Sequence, residues 1–343
     1  MPTQTALKTM RAVQVGKKGG PLELVQREIP EPGERQVRIQ VKACGICHSD
    51  VLVKEGLWPG VQYPRSPGHE IAGVVDAVGP QVSAWKKGQR VGVGWTGGYC
   101  SECDACRHGD FVNCANLQIT GFHFDGGYAD YVIVPAVGLA AIPDALSFEE
   151  AAPLMCAGVT TFNALRNTNA QPPALVAIQG IGGLGHLGIQ FANKMGFKVA
   201  AISKGKDKEA LARKLGAHVY INADDGDPAA QLSALGGARV ILATAPSGKA
   251  MTALVNGLGR RGEMVVVGAS TDPIEASPLQ LITQTRRLEG WAGGAAADSE
   301  DTMNFCAVTG VRAMIETFPL DKASEGFDRM MSNKVRFRTV LMH

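Results

Sequence analysis

The chain has 343 residues, a length that suits two domains better than one. Hydrophobic residues make up 45% and charged residues 19%, and 34 Lys plus Arg against 32 Asp plus Glu leave a net charge of +2. Such a chain can bury real cores, and its charge balance gives no reason to expect nucleic acid or an anionic membrane as a partner.

The opening stretch, "MPTQTALKTMRAVQV", has no apolar run suited to a signal peptide, and no segment approaches the ~20 apolar residues of a membrane span. The expectation is a cytoplasmic protein, a setting in which disulfides are rare. Short strand patterns broken by glycine and proline follow: "QVRIQVKA" (36–43), "EIAGVVDAVG" (70–79) and "YADYVIVP" (128–135). They predict a β-rich first domain with long loops.

One of those loops reads "YCSECDACRHGDFVNC" and holds Cys100, Cys103, Cys106 and Cys114 in the spacing C-x2-C-x2-C-x7-C. Four soft thiolates close a tetrahedral shell around zinc with no open position, a structural site that would pin a loop with little core of its own. An iron–sulfur cluster competes for the same spacing, and disulfides would require secretion. Other cysteines and histidines are scattered through "CGICHSD" (44–50), "GHE" (68–70) and "PLMCAG" (153–158). Cys47, His69 and Cys156 would make a two-sulfur, one-nitrogen set with one position free, the kind of set a catalytic zinc takes. Spacing alone does not select them, because a scattered Cys or His is ordinarily a buried thiol or a satisfied core histidine.

Near residue 147 the rhythm changes. Ser147 and Glu150 stand at capping-box spacing and mark a helix start. From 174 strands and helices alternate: strand 174–179, a glycine turn and helix to about 195, strand 198–203, helix 207–216, then strands 218–222, 239–244 and 262–269. Short, uniformly apolar strands between helices predict a doubly wound parallel sheet covered on both faces. The turn is "GIGGLG", Gly180 to Gly185, between strand and helix, the context in which G-x-G-x-x-G binds a dinucleotide. Gly180 allows the tight turn, Gly182 lets pyrophosphate approach, and Gly185 lets helix and strand pack, with Gly183 and Leu184 offering N–H groups at the helix start.

The next strand ends at Ser203, followed by "KGKDK". A site for NAD usually places Asp or Glu at this strand end to bind the ribose 2′-hydroxyl. A hydroxyl beside Lys204, Lys206 and Lys208 suits a 2′-phosphate better, so NADP(H) is favoured over NAD(H). After about 290 the alternation fades, and the tail is expected to return to the first domain.

In order along the chain, "CGICHSD", "PGHEIAGVV", "CSECDACRHGDFVNC", "GGYADYVIVP", "AAPLMCAGVTTFNAL" and "GIGGLGHLGIQFA" resemble the zinc-dependent medium-chain alcohol dehydrogenases, particularly the compact microbial branch and relatives reducing cinnamyl-type aldehydes. The resemblance covers essentially the whole chain. It implies a β-rich GroES-like catalytic domain over 1–155, with 292–343 returning to it, and a Rossmann domain over 156–291. It implies two zinc ions per chain, one structural and one catalytic, and a cleft between the domains. Cys47, not Cys44, would bind the catalytic zinc with His69 and Cys156. Glu70 would approach the metal when the fourth ligand leaves, Asp50 would hold the His69 imidazole, and Ser49 would take the alcohol proton. His48 and Arg338 would meet cofactor phosphates, and Thr160 the nicotinamide. Val267 would line the cofactor, while Trp58 and Trp95 would narrow the substrate pocket.

Many family members carry a proton-passing histidine where this chain has Leu52, so the relay must differ. The implied activity is interconversion of primary alcohols and aldehydes by hydride transfer with NADP(H) or NAD(H). A polyol or secondary-alcohol dehydrogenase of the same fold is the nearest rival, and a non-catalytic nucleotide-binding protein is the rival from another class. Family likeness also implies a homo-oligomer, tetramer over dimer, acting on a small molecule. Cys44 and Cys306 read as buried apolar residues. His108 reads as a surface or hydrogen-bonded side chain. His123 reads the same way or as a cleft residue, and His186 as packing or a phosphate contact.

Overall fold

The computed structural model describes residues 8–343, so the N-terminal expectation for residues 1–7 lies outside the described residues. The chain divides into two compact units. One holds the described residues up to Cys156 with Gly294–Val308 and Ala313–His343; the other holds Ala157–Gly293 and Thr309–Arg312.

In the first unit, Gln36–Ile46 is the spine. Val37, Ile39, Val41 and Ala43 point into the core while Arg38, Gln40 and Lys42 stay partly exposed, the period of a half-buried strand. From Ala43 to Cys47 every residue is buried, so the strand sinks toward the interior as it ends. Its sheet runs Ile315–Pro319, Arg338–Met342, Gln36–Ile46, Glu70–Val78, Arg90–Val93, Leu139–Ala141, with Tyr131–Pro135 also pairing on Gln36–Ile46. The pairings are antiparallel except that of Ile315–Pro319 with Arg338–Met342. Ile39, Ile71, Val91, Val132 and Leu341 pack in one fully buried cluster, each aliphatic chain contributing about 1.5–3 kcal/mol. Residues 128–130 of the predicted strand 128–135 stand outside the observed strand, which begins at Tyr131.

In the second unit six strands run parallel in the order Val219–Asn222, Lys198–Ser203, Leu175–Gln179, Ala238–Ala243, Leu258–Val266, Arg287–Gly290. Every residue of Leu175–Gln179 is buried, as a central parallel strand requires. That strand also lies where the strand order reverses, the switch point at which such sheets bind ligands beyond their carboxyl ends. Helix Gly185–Lys194 follows at once and packs on helix Ala157–Arg166, with the Phe162 and Phe191 rings 5.4 Å apart. The capping box closes as predicted, Glu150 N–H donating to Ser147 Oγ and Ser147 N–H to Glu150 Oε2. No helix among the described residues is long and apolar enough to cross a membrane.

Candidate metal centres and cofactor turn

Three segments of the first unit bring Cys47, His69, Glu70 and Cys156 together. The chain leaves Gln36–Ile46 at Cys47 and turns into the short helix Asp50–Lys54. His69 opens onto the neighbouring strand, where Glu70 faces Gly45. Cys156 follows a 3-10 turn over Ala152–Met155. Gly68, before His69, has φ +101° and lies so close to the Tyr128 ring that no Cβ could stand there.

One ligand atom from each of the four residues lies within 4.8 Å of the others. The Cys47 and Cys156 sulfurs are 3.8 Å apart. A disulfide needs about 2.05 Å. Two thiolates on one tetrahedral zinc at about 2.3 Å each would stand about 3.8 Å apart. His69 is fully buried; its Nδ1 faces Asp50 Oδ1 at 3.1 Å, and its Nε2 has no hydrogen-bond partner among the described residues. Glu70 Oε2 is likewise buried and unpartnered. Orphaned donor atoms of this kind are costly unless something accepts their lone pairs, so the residues fit a divalent ion.

The charges are set by these neighbours. The hydrogen bond between the thiols, with His69 and Arg338 nearby, holds Cys47 well below the usual thiol range and pushes Cys156 well above it. Burial raises Glu70 to about 7, against the pull of Arg338. Burial works against a charge on His69, but Asp50 and Cys47 outweigh it and hold its proton well above the usual value. Arg338 itself is buried, and its Nη2 donates to Glu70 Oε1 and the Ile46 carbonyl. Its Nε has no hydrogen-bond partner among the described residues.

Around this cluster the wall is aromatic. The Trp95 ring stands edge-on to His69 at 5.0 Å, and Trp58, Trp95 and Phe122 meet one another at 4.8–6.0 Å. Phe122 escaped the sequence reading because nothing local marks it. Leu52 packs in the same apolar cluster. Ser49 caps the helix Asp50–Lys54 without a side-chain bond, which leaves its hydroxyl uncommitted there. His48 is exposed.

The thiol-rich loop gathers its four cysteines within the same 4.8 Å limit. Cys114 Sγ is 3.5 Å from Cys100 Sγ and 3.9 Å from Cys103 Sγ, again the spacing of shared coordination rather than of disulfides. Backbone N–H groups of Cys100 and Asn116 point at Cys114 Sγ. Those of Glu102 and Cys103 bring Cys100 down to about 6. His108 and His123 stay outside this set, both exposed, with His108 Nδ1 against the Asp104 carbonyl and His123 Nδ1 accepting the Ile119 N–H. Cys44 and Cys306 are fully buried.

In the second unit three glycines of the turn each have their own steric setting. Gly180 has φ +92°, a Cβ on Gly185 would collide with the Gly180 carbonyl, and a Cβ on Gly182 would meet open space. The last is what an approaching pyrophosphate needs. Gly183 and Leu184 N–H groups have no backbone acceptor among the described residues. His186 is buried, with Nδ1 against the Gly182 carbonyl at 2.9 Å, so it braces the turn. Beyond Ser203, Lys204 and Lys206 are exposed, while Lys208 Nζ donates to the Ile181 carbonyl at 3.3 Å. Asp224, which the sequence reading passed over, takes the Gly205 N–H at 2.9 Å. Thr160 lies on helix Ala157–Arg166 near Gly293, and Val267 follows strand Leu258–Val266, each partly buried.

Residues 33–144 match the family model described as alcohol dehydrogenase GroES-like domain, and 183–307 match zinc-binding dehydrogenase. The chain is 42% identical over 337 residues to the alcohol dehydrogenase patD of Penicillium expansum, covering 98% of each. It is 38% identical over 334 residues to an alcohol dehydrogenase of Geobacillus stearothermophilus, covering 97% of this chain and 99% of that one. A solved cinnamyl alcohol dehydrogenase of Sorghum bicolor superposes with a TM-score of 0.87 at 34% identity, covering 98% of each chain.

Proposed function

Because the chain belongs to the zinc-dependent medium-chain alcohol dehydrogenases, we propose that it interconverts primary alcohols and aldehydes, with NADP(H) preferred to NAD(H) and two zinc ions per chain. It is an alcohol oxidoreductase that uses zinc and a nicotinamide cofactor. The observation that carries the finer reading is the unpartnered, fully buried His69 Nε2 beside two sulfurs 3.8 Å apart. Cys47, His69 and Cys156 would hold the catalytic ion in this reading. Zinc there would supply Lewis acidity, and the nicotinamide would supply the hydride acceptor or donor.

The chain's own groups do the rest. Ser49 Oγ takes the proton of the substrate hydroxyl on oxidation and returns one to the carbonyl oxygen on reduction. With apolar Leu52 behind it, that proton leaves by water rather than by a side-chain relay. Glu70 stands ready as a buried carboxylate beside the ligands, held by Arg338. Trp58, Trp95 and Phe122, packed on one another beside His69, would narrow the substrate pocket with apolar rings, which argues against the polyol reading. Cys100, Cys103, Cys106 and Cys114 would hold a second, structural ion.

Cofactor phosphates would meet the N–H groups of Gly183 and Leu184 with His48 and Arg338, and Thr160 and Val267 would flank the nicotinamide. Ser203, Lys204 and Lys208 favour a 2′-phosphate because no carboxylate ends the strand Lys198–Ser203. Assembly as a tetramer rests on family likeness alone.

The test is a panel of initial rates on primary alcohols, secondary alcohols, polyols and aldehydes, each with NAD(H) and NADP(H). The reading expects kcat/KM at least tenfold higher for primary alcohols and aldehydes, and for NADP(H). A preference for polyols, or for NAD(H), would replace the corresponding part of it.

A further inference from the structure

The Asp50 carboxylate is 1% exposed and lies among three donors. Cys47 N–H and the Tyr128 hydroxyl donate to Oδ2 at 2.9 and 3.0 Å, and His69 Nδ1 meets Oδ1 at 3.1 Å. Among the described residues no lysine or arginine pairs with it, so these three donors replace the water it has lost. Tyr128 comes from a distant part of the chain and is itself fully buried. Burial and the Asp50 charge push its hydroxyl well above the usual phenol range, which keeps it a donor.

A buried tyrosine hydroxyl finding any convenient acceptor would be unremarkable. The backbone makes more of this one. Tyr128 N–H donates to the Pro67 carbonyl at 3.1 Å and Gly127 N–H to the Gly68 carbonyl at 2.8 Å, which ties this segment to the residues just before His69. Its ring packs against Gly68 with no space for a side chain between them. Tyr128 therefore grips both ends of one loop of contacts: the main chain that carries His69, and the carboxylate that orients its ring.

We propose that Tyr128 is a positioning residue for the catalytic zinc, its hydroxyl fixing the Asp50 carboxylate so that His69 is held with Nε2 toward Cys47 and Cys156. The inference rests on the reading of Cys47, His69 and Cys156 as a ligand set. Partners of a ligating histidine typically change metal affinity by about 10–100-fold when removed. Tyr128→Phe deletes the hydroxyl and keeps the ring, so the packing against Gly68 survives.

The experiment follows zinc release from the zinc-loaded enzyme into a chelating dye, with the four-cysteine ion as an internal control. Tyr128→Phe is expected to release one of two zincs about tenfold or more faster than wild type, the other at an unchanged rate. The visible bands of the enzyme with cobalt exchanged into the faster site are expected to shift, a change that loss of general stability would not cause. Wild-type release kinetics for both ions with an unshifted cobalt spectrum would overturn the inference while leaving the ligand set standing. A wild-type chain that holds zinc at the four cysteines alone would overturn both.

Discussion

Cys47 and Cys44 share one short motif, and the fold separates their fates. Cys44 is fully buried on the strand, its thiol pushed well up by burial, and its sulfur sits against Gly45 carbonyl. Cys47 lies just past the strand end, facing Cys156 and His69. Cys47→Ala is expected to lower kcat/KM on the order of 10³-fold or more, the several kcal/mol that metal-ion catalysis contributes, with a melting curve near wild type. Cys44→Ala should retain most of its activity, and steady-state rates on one primary alcohol compare the two. Asp130 is a different case, a structural charge. Burial opposes its ionisation, yet Arg11 donates to it through the backbone N–H, Nε and Nη2, and His343 lies 3.7 Å away. Its carboxyl is held well below the usual range. A carboxyl depressed by folding stabilises above its unfolded value, about 3.9, and the contribution fades as pH falls below that. Asp130→Asn should cost about 1–2 kcal/mol at neutral pH and flatten the acid side of the stability curve, read by denaturant melts between pH 3 and 7.

At the scale of elements, the four-cysteine loop and the glycine turn carry opposite kinds of information. The loop contains little regular structure beyond Asp104–Arg107 and a 3-10 turn at Phe111–Asn113, so a metal would supply what its core lacks. Cys103→Ala is expected to lower the melting temperature by several degrees and remove one zinc per chain, while the folded fraction keeps kcat within a few-fold. Calorimetry with metal counting checks it. The turn was legible from sequence because its glycines answer local needs, strand before and helix after. The charge reading at Ser203 is also local. Ser203→Asp should raise KM for NADP(H) about tenfold or more by repelling the 2′-phosphate and lower it for NAD(H), read from paired cofactor titrations. Helix Ala296–Thr309 was not legible: acidic and apolar residues mix along "AADSEDTMNFCAVT" without an apolar stripe. Asp224 was missed because it acts from the far side of a parallel strand pair, on the Gly205 backbone.

For the whole molecule, the parallel sheet was readable because its strands are uniformly apolar and short, as Leu175–Gln179 shows by burying every side chain. The proposed ligands of the catalytic ion were not readable from spacing. Cys47 and Cys156 are 109 residues apart, and Glu70 and Arg338 are 268 apart; only the order of several motifs, taken as a family resemblance, picked them out. Phe122 stands in none of those motifs, and Tyr128 stands in "GGYADYVIVP" without a role assigned by it; both emerged only when strands and loops of the first unit came together. The non-catalytic alternative fares poorly, since both halves of the chain match dehydrogenase families and full-length relatives are alcohol dehydrogenases. The central claim is a three-ligand ion beside a four-ligand one. Anomalous diffraction at the zinc edge, on crystals of zinc-replete enzyme, tests it most directly. The account predicts two peaks per chain, one among Cys100, Cys103, Cys106 and Cys114 and one bonded to Cys47, His69 and Cys156. A single peak at the four cysteines, with nothing between Cys47 and His69, would contradict it.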